Sequence, residues 1–178
     1  TLPSENHTGG EASTEDEADP HIWFSAQRMK IVAKNTADAL VSFNPVNKST
    51  YDQNLAIVLD KIDAVDAAVR EILKSTTQKK FLIMHPMLAY FAADYGLEQL
   101  TVEIGGQEPS PGELAALLDL AGQNQIKALY IQRNTSVKMA EMVANALTIQ
   151  KTYALEPLAE DWPANMLEIA RLLAEGLN

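Results

Sequence analysis

Phe81-Leu82-Ile83-Met84-His85-Pro86 is a short apolar run that stops at a histidine and a proline, and its reading decides the fold. A run of this length, following Lys79-Lys80, predicts a strand over 81–84 buried on both faces. Downstream, similar short runs predict strands over 100–102, 128–131 and 152–155. Between and after them, apolar residues at helical spacing predict helices over 86–95, 110–123, 136–147 and 163–177. Gly96 stops the first of these helices, and Ser110-Pro111 with Glu113 starts the second as a capping box. Strands and helices alternating at this length imply an α/β fold, a parallel sheet covered by helices on both faces, over residues 77–178.

Upstream of the run the pattern is helical throughout. Met29, Ile31, Val32, Ala37, Leu40 and Val41 predict a helix over 25–43 that ends at Asn44-Pro45. Ser49-Thr50 offers a cap for a second helix over 50–76, in which Leu55, Val58, Leu59, Ile62, Val65, Val69, Ile72 and Leu73 share one face. Such a helix would be about 37 Å long at about 1.5 Å per residue, longer than a small domain requires. It reads as a strut between two lobes. Residues 1–18 carry Glu5, Glu11, Glu15, Asp16 and Glu17 without a lysine or arginine, and read as a disordered acidic loop.

Composition narrows the function. The 178 residues are 47% hydrophobic, enough for a core, and carry a net charge of −10. That charge argues against a protein that tracks nucleic-acid phosphates and against an anionic membrane surface. With no cysteine, disulfides and thiolate metal sites are excluded. Any metal must be held by nitrogen and oxygen. The chain opens on Thr1 without an apolar leader, as expected of a processed or truncated product.

All three histidines are His7, His21 and His85, and the last two stand beside proline, in Asp19-Pro20-His21-Ile22-Trp23 and in His85-Pro86. Neutral imidazole is the commonest protein ligand for zinc and similar metals, and a neighbouring proline narrows where the ring can point. In open parallel sheets, ligands bind beyond the carboxyl ends of the strands. His85 occupies one such end and Glu156, in Leu155-Glu156-Pro157-Leu158, another. Taken singly, each histidine is as well explained as a satisfied core or capping residue, and Glu156 as a surface carboxylate. Tyr90, Phe91 and Tyr95 read as core, with the two tyrosine hydroxyls available to hydrogen-bond a metal-binding side chain from behind; Arg133 reads as one half of a surface ion pair. Gly105-Gly106 lacks the remainder of a phosphate-loop pattern.

A set of ordered motifs goes further. Asp19-Pro20-His21-Ile22-Trp23-Phe24-Ser25, Asn44-Pro45-Val46-Asn47 with Tyr51 and Asn54, His85-Pro86 with Tyr90-Phe91 and Asp94-Tyr95-Gly96-Leu97, Glu108-Pro109-Ser110-Pro111, and Glu156-Pro157-Leu158 follow one another along residues 19–178. In order and spacing they resemble the metal-binding solute-binding proteins of bacterial ABC importers, the group for zinc and manganese. The resemblance implies a two-lobed receptor joined by one long helix, with the metal in the cleft between lobes. Residues 19–49 would then be a remnant of the N-terminal lobe, 50–76 the interlobe helix and 77–178 the C-terminal lobe. By motif, His21 resembles the second histidine ligand, His85 the third ligand, and Glu156 stands where the family usually has an aspartate ligand. Manganese-type members typically have glutamate at the position of His85, so histidine there favours Zn2+ over Mn2+ or Fe2+, as imidazole chemistry also does.

The family's first histidine ligand belongs to the part of the N-terminal lobe that precedes this chain, so the resemblance implies an incomplete site in a fragment. It also implies an ABC-importer membrane permease as partner, a periplasmic or membrane-tethered extracytoplasmic location, and no enzymatic activity. Two other readings are weighed beside it. Two histidines and one carboxylate with an open position resemble a zinc hydrolase, although no HExxH motif is present; alternatively the chain is an interaction module that binds no metal. Uncovered apolar surface on the helices over 25–75 leads us to expect that they dimerise or are disordered.

Overall fold

The computed structural model describes residues 18–104, 107–133, 137–149 and 151–178. Most of the acidic segment with His7, the Gly105-Gly106 pair and Asn134 lie outside the described residues. The sheet has four strands, β1 (Lys80–Ile83), β2 (Glu98–Thr101), β3 (Ala128–Gln132) and β4 (Lys151–Leu155), in the order β2-β1-β3-β4. Every pairing is parallel. The helices are α1 (Ala26–Phe43), α2 (Lys48–Leu73), α3 (Ala89–Tyr95), α4 (Pro111–Gln123), α5 (Val137–Ala146) and α6 (Trp162–Gly176).

Both faces of the sheet are covered, and the period-two alternation of β1 explains how. Phe81 and Ile83, with Tyr130 and Leu155, face a core that includes Val65, Val69 and Leu73 of α2, Phe91 of α3, and Met166, Ile169 and Leu173 of α6. Leu82 and Met84, with Leu100 and Leu129, face the other core, built with Ala121 of α4 and Ala140 and Val143 of α5. A continuous apolar run is what such a strand requires. The connection out of β1 thus lies on one face and that out of β3 on the other, which puts a topological switch point between these neighbours. His85 stands just past β1 at that point.

Three local expectations need correcting. The helix read over 86–95 begins only at Ala89: the backbone N–H of Met87 turns back to the His85 carbonyl at 2.8 Å, and that of Leu88 is taken by the Gln99 side chain at 2.8 Å. β2 lies at 98–101 rather than 100–102, because its register is set against 80–83 of β1. Ser49-Thr50 caps nothing; a single 3-10 turn over Pro45–Asn47 feeds straight into α2 at Lys48. The capping box is present, with the Ser110 hydroxyl accepting from the Glu113 N–H and the Glu113 carboxylate accepting from the Ser110 N–H. Gly96 ends α3 at φ +66°, a left-handed conformation that costs glycine nothing.

α1 and α2 are both formed, 18 and 26 residues long, and pack as a hairpin. The C-terminal half of α2 is built into the core, whereas the far end of the hairpin is not: Phe43 is 90% exposed and Val46 91%. Among the described residues no helix is long and apolar enough to cross a membrane.

Candidate metal centre

His85 is placed by the end of β1, and pairing between β1 and β2 continues past the strands proper. The Val102 N–H donates to the Ile83 carbonyl and the Glu103 N–H to the Met84 carbonyl, both at 2.9 Å. That step fixes Glu103 beside His85, and its Oε2 lies 2.8 Å from His85 Nδ1. His21 begins a 3-10 turn over Ile22–Phe24. One oxygen of Asp19 accepts from both the backbone N–H of His21, at 2.9 Å, and its Nδ1, at 2.7 Å.

The same arrangement therefore occurs twice. A carboxylate can only accept a hydrogen bond, so each Nδ1 carries the proton and each Nε2 is left as the nitrogen with a free lone pair. Histidines that bind metals are held in just this way, by a carboxylate on the other ring nitrogen. The two rings stand edge to face with centroids 5.2 Å apart. Both side chains are largely covered, His21 16% and His85 29% exposed.

The turn carrying His21 is fastened to the α/β body from several sides. Phe24 is buried in the core shared with β1, β3 and α6. The Ser25 hydroxyl caps α1 and donates to Asp94 at 2.6 Å, and the Tyr90 hydroxyl donates to the Asp19 carbonyl at 3.1 Å. Arg28 lies over the Tyr90 ring at 3.8 Å. Tyr90 and Phe91 are buried, in keeping with their reading as core.

Glu156 follows β4, whose register sets Leu155 opposite Gln132. The carboxylate lies 3.6 Å from Arg133 Nε, just past β3, and accepts from the Leu158 N–H at 3.3 Å. Its side chain is 41% exposed. Among the described residues no group of three or more His, Cys, Asp or Glu side chains stands together as a metal-holding cluster. The structure thus brings His21 and His85 together and pairs Glu156 with Arg133 instead. Reading the sequence alone missed Asp19 and Glu103 as partners of the two rings. Glu103 follows β2 at the same end of the sheet as His85, which was the available signal.

This architecture and these motifs have known counterparts. The family model for zinc-uptake complex component A, periplasmic, matches residues 2–176. A zinc-binding lipoprotein, AdcA, of Streptococcus pneumoniae is 33% identical over 155 residues, which are 86% of this chain and 31% of that protein. The high-affinity zinc uptake system protein ZnuA of Bacillus subtilis is 32% identical over 133 residues, 72% of this chain and 41% of the relative. Among solved structures, a crystal structure of ZnuA superposes with a TM-score of 0.85 at 36% identity, covering 90% of this chain and 63% of that one. A ZnuA deletion mutant with zinc bound superposes at 0.84, also at 36% identity. The chain thus spans less than two thirds of the length of these relatives. It belongs to the family of the periplasmic zinc-uptake complex component A.

Proposed function

We propose that the chain is part of an extracytoplasmic solute-binding receptor that captures a divalent transition metal, zinc in the first place, for an ABC importer. The observation that carries this reading is the pair of imidazoles 5.2 Å apart, each with Nδ1 held by a carboxylate. An ion about 2.0–2.1 Å from two Nε2 atoms at a tetrahedral angle sets the ring centres about 5 Å apart, so the spacing of the two rings is compatible with a shared zinc ion. Nitrogen ligands favour zinc over manganese, which prefers more oxygen. The zinc-binding relatives support the same choice.

In this reading His21 and His85 donate Nε2, and Glu156 turns from Arg133 to supply a carboxylate oxygen. Residues 19–49 belong to the end of a first lobe, 50–76 to the interlobe helix and 77–178 to the second lobe. The ion is cargo: the protein hands it to a membrane permease and performs no chemistry on it. The location is periplasmic, or outside the membrane on a tether. Phe43 and Val46, exposed at the far end of the hairpin of α1 and α2, leave apolar surface for pairing with a second copy, which its mass in solution would reveal.

Zinc titration with metal analysis tests the site on the wild type and on His21→Ala, His85→Ala and Glu156→Ala. Each substitution is expected to weaken zinc binding sharply. Equal stoichiometry and affinity in all four proteins would rule the site out.

A further inference from the structure

The chain has two tryptophans, Trp23 and Trp162, and both spend their single indole donor on the same junction. Trp23 Nε1 donates to the carbonyl of Pro157 at 2.9 Å, and Trp162 Nε1 donates to the carbonyl of Trp23 at 2.7 Å. The contacts join residues 134 and 139 positions apart in the chain. Trp23 directly follows the His21-Ile22 pair and Pro157 directly follows Glu156, so the first bond ties the two turns together, and the second ties the His21 turn to the start of α6. Asn165, on the first turn of α6, adds a third bond, from Nδ2 to the Glu156 carbonyl at 2.9 Å. The Trp23 ring also stands edge to face with the His21 ring, centroids 5.4 Å apart.

The result is an asymmetry at Glu156. Its main chain is pinned at its own carbonyl and at that of Pro157, while among the described residues its side chain is held by a long contact to Arg133 and one bond to the Leu158 N–H. A ligand that must leave one partner for another gains most from a fixed origin, because the metal then restricts only the rotatable bonds of the arm.

We propose that Trp23, Trp162 and Asn165 are positioning residues that hold the Glu156 turn in register with the His21 turn before any ion arrives. The inference rests on the reading of His21 and Glu156 as ligands. Both tryptophans also pack against the core; what the register needs beyond that packing is the N–H.

The test is a double-mutant cycle on zinc affinity, measured by competition with a chelator, using the whole chain. Trp162→Phe, Trp23→Phe and Asn165→Ala are each expected to keep a cooperative thermal transition and to weaken zinc by about tenfold or more, the usual effect of removing an outer partner of a ligand. In the Glu156→Ala background, Asn165→Ala should have almost no further effect, because its bond is to the Glu156 carbonyl and it acts through that residue's carboxylate. The visible spectrum of the cobalt-substituted protein should change in Trp162→Phe in the same direction as in Glu156→Ala. Wild-type affinity and spectrum in all three single variants overturn the inference, as does an Asn165→Ala effect that persists undiminished without Glu156. A wild type that takes up no zinc overturns the reading of the site, and this inference falls with it. Should one tryptophan variant fail to fold, Asn165→Ala alone decides.

Discussion

Glu103→Ala isolates the claim that His85 is presented by its carboxylate. Glu103 Oε2 lies 2.8 Å from His85 Nδ1, and the two side chains are 25% and 29% exposed, so the bond is sheltered without being sealed from water. Charge-assisted bonds of this length are about twice as strong as neutral ones. Losing it frees the ring to rotate and lets the proton move to Nε2. Outer partners of metal-bound histidines are commonly worth about 10–100-fold in affinity, or about 1.4–2.7 kcal/mol. Zinc binding to Glu103→Ala should weaken within that range. Glu103→Gln, which keeps an acceptor for Nδ1–H and loses the charge, should fall between Ala and wild type. Folding should change by no more than about 1.5–3 kcal/mol, the net range for a hydrogen bond to a charged group, so the variant should still show a cooperative melt. Chelator competition gives the affinities, and Glu98→Ala, whose carboxylate pairs with Lys80 at 2.8 Å on the surface, serves as control. Equal affinity in Glu103→Ala and wild type would refute the reasoning.

Three further outcomes follow from other parts of the molecule. Arg133→Ala removes the side chain that pairs with Glu156; with Arg133 71% exposed, the contact falls in the range of surface pairs, so zinc should bind tighter by about fivefold at most, read by the same competition. Gly176→Ala would set a Cβ against the Tyr130 hydroxyl and 2.7 Å from the Ala128 Cβ, so overpacking of about 1–3 kcal/mol should lower Tm by about 2–12 °C in a thermal melt, with part of the loss recovered when Tyr130→Phe removes the hydroxyl. Burial first, and the nearby Tyr153 second, push the Tyr130 phenol well above its ordinary range. Above about pH 10 the unfolded chain has therefore lost a proton that the folded one keeps, and stability should fall by up to about 1.4 kcal/mol per pH unit for this tyrosine, with no such slope below. Urea midpoints across that range should show the decline, and Tyr130→Phe should lessen it, leaving the share of the Tyr95 phenol, which burial also raises, while costing stability at neutral pH through the lost bonds to the Leu172 and Leu173 carbonyls.

The parts of the fold legible in the sequence are those fixed by local chemistry. The capping box at Ser110 and Glu113 forms because its partners are three residues apart, and Gly96 ends α3 because its backbone alone turns left-handed without cost. β1 was legible because burial on both faces leaves no polar position in Phe81-Leu82-Ile83-Met84. Where a distant segment decides, local signals mislead. Pro86 looks like a helix start, yet the N–H of Leu88 belongs to Gln99 from a neighbouring strand, and the helix waits until Ala89. The edges of β2 are set by register against β1, which no propensity encodes.

The candidate site divides along the same line. His21 and His85 could be named from residue type, the prolines beside them and the carboxyl-end rule, because each of those is written within a few residues. What makes the two rings usable is not. Asp19 is close in sequence, but its bond to the ring depends on the turn that Phe24 anchors in the core. Glu103 reaches His85 only because parallel pairing continues one step beyond β2, to Met84. Glu156 shows the converse: its place at the end of β4 was readable, while its contact with Arg133 follows from the pairing of Leu155 with Gln132. The types of the candidate ligands are thus a local property of the chain, whereas their tautomers and spacing are a property of the sheet. Substitutions at the register between β1 and β2 should consequently disturb the metal centre even where they touch neither histidine.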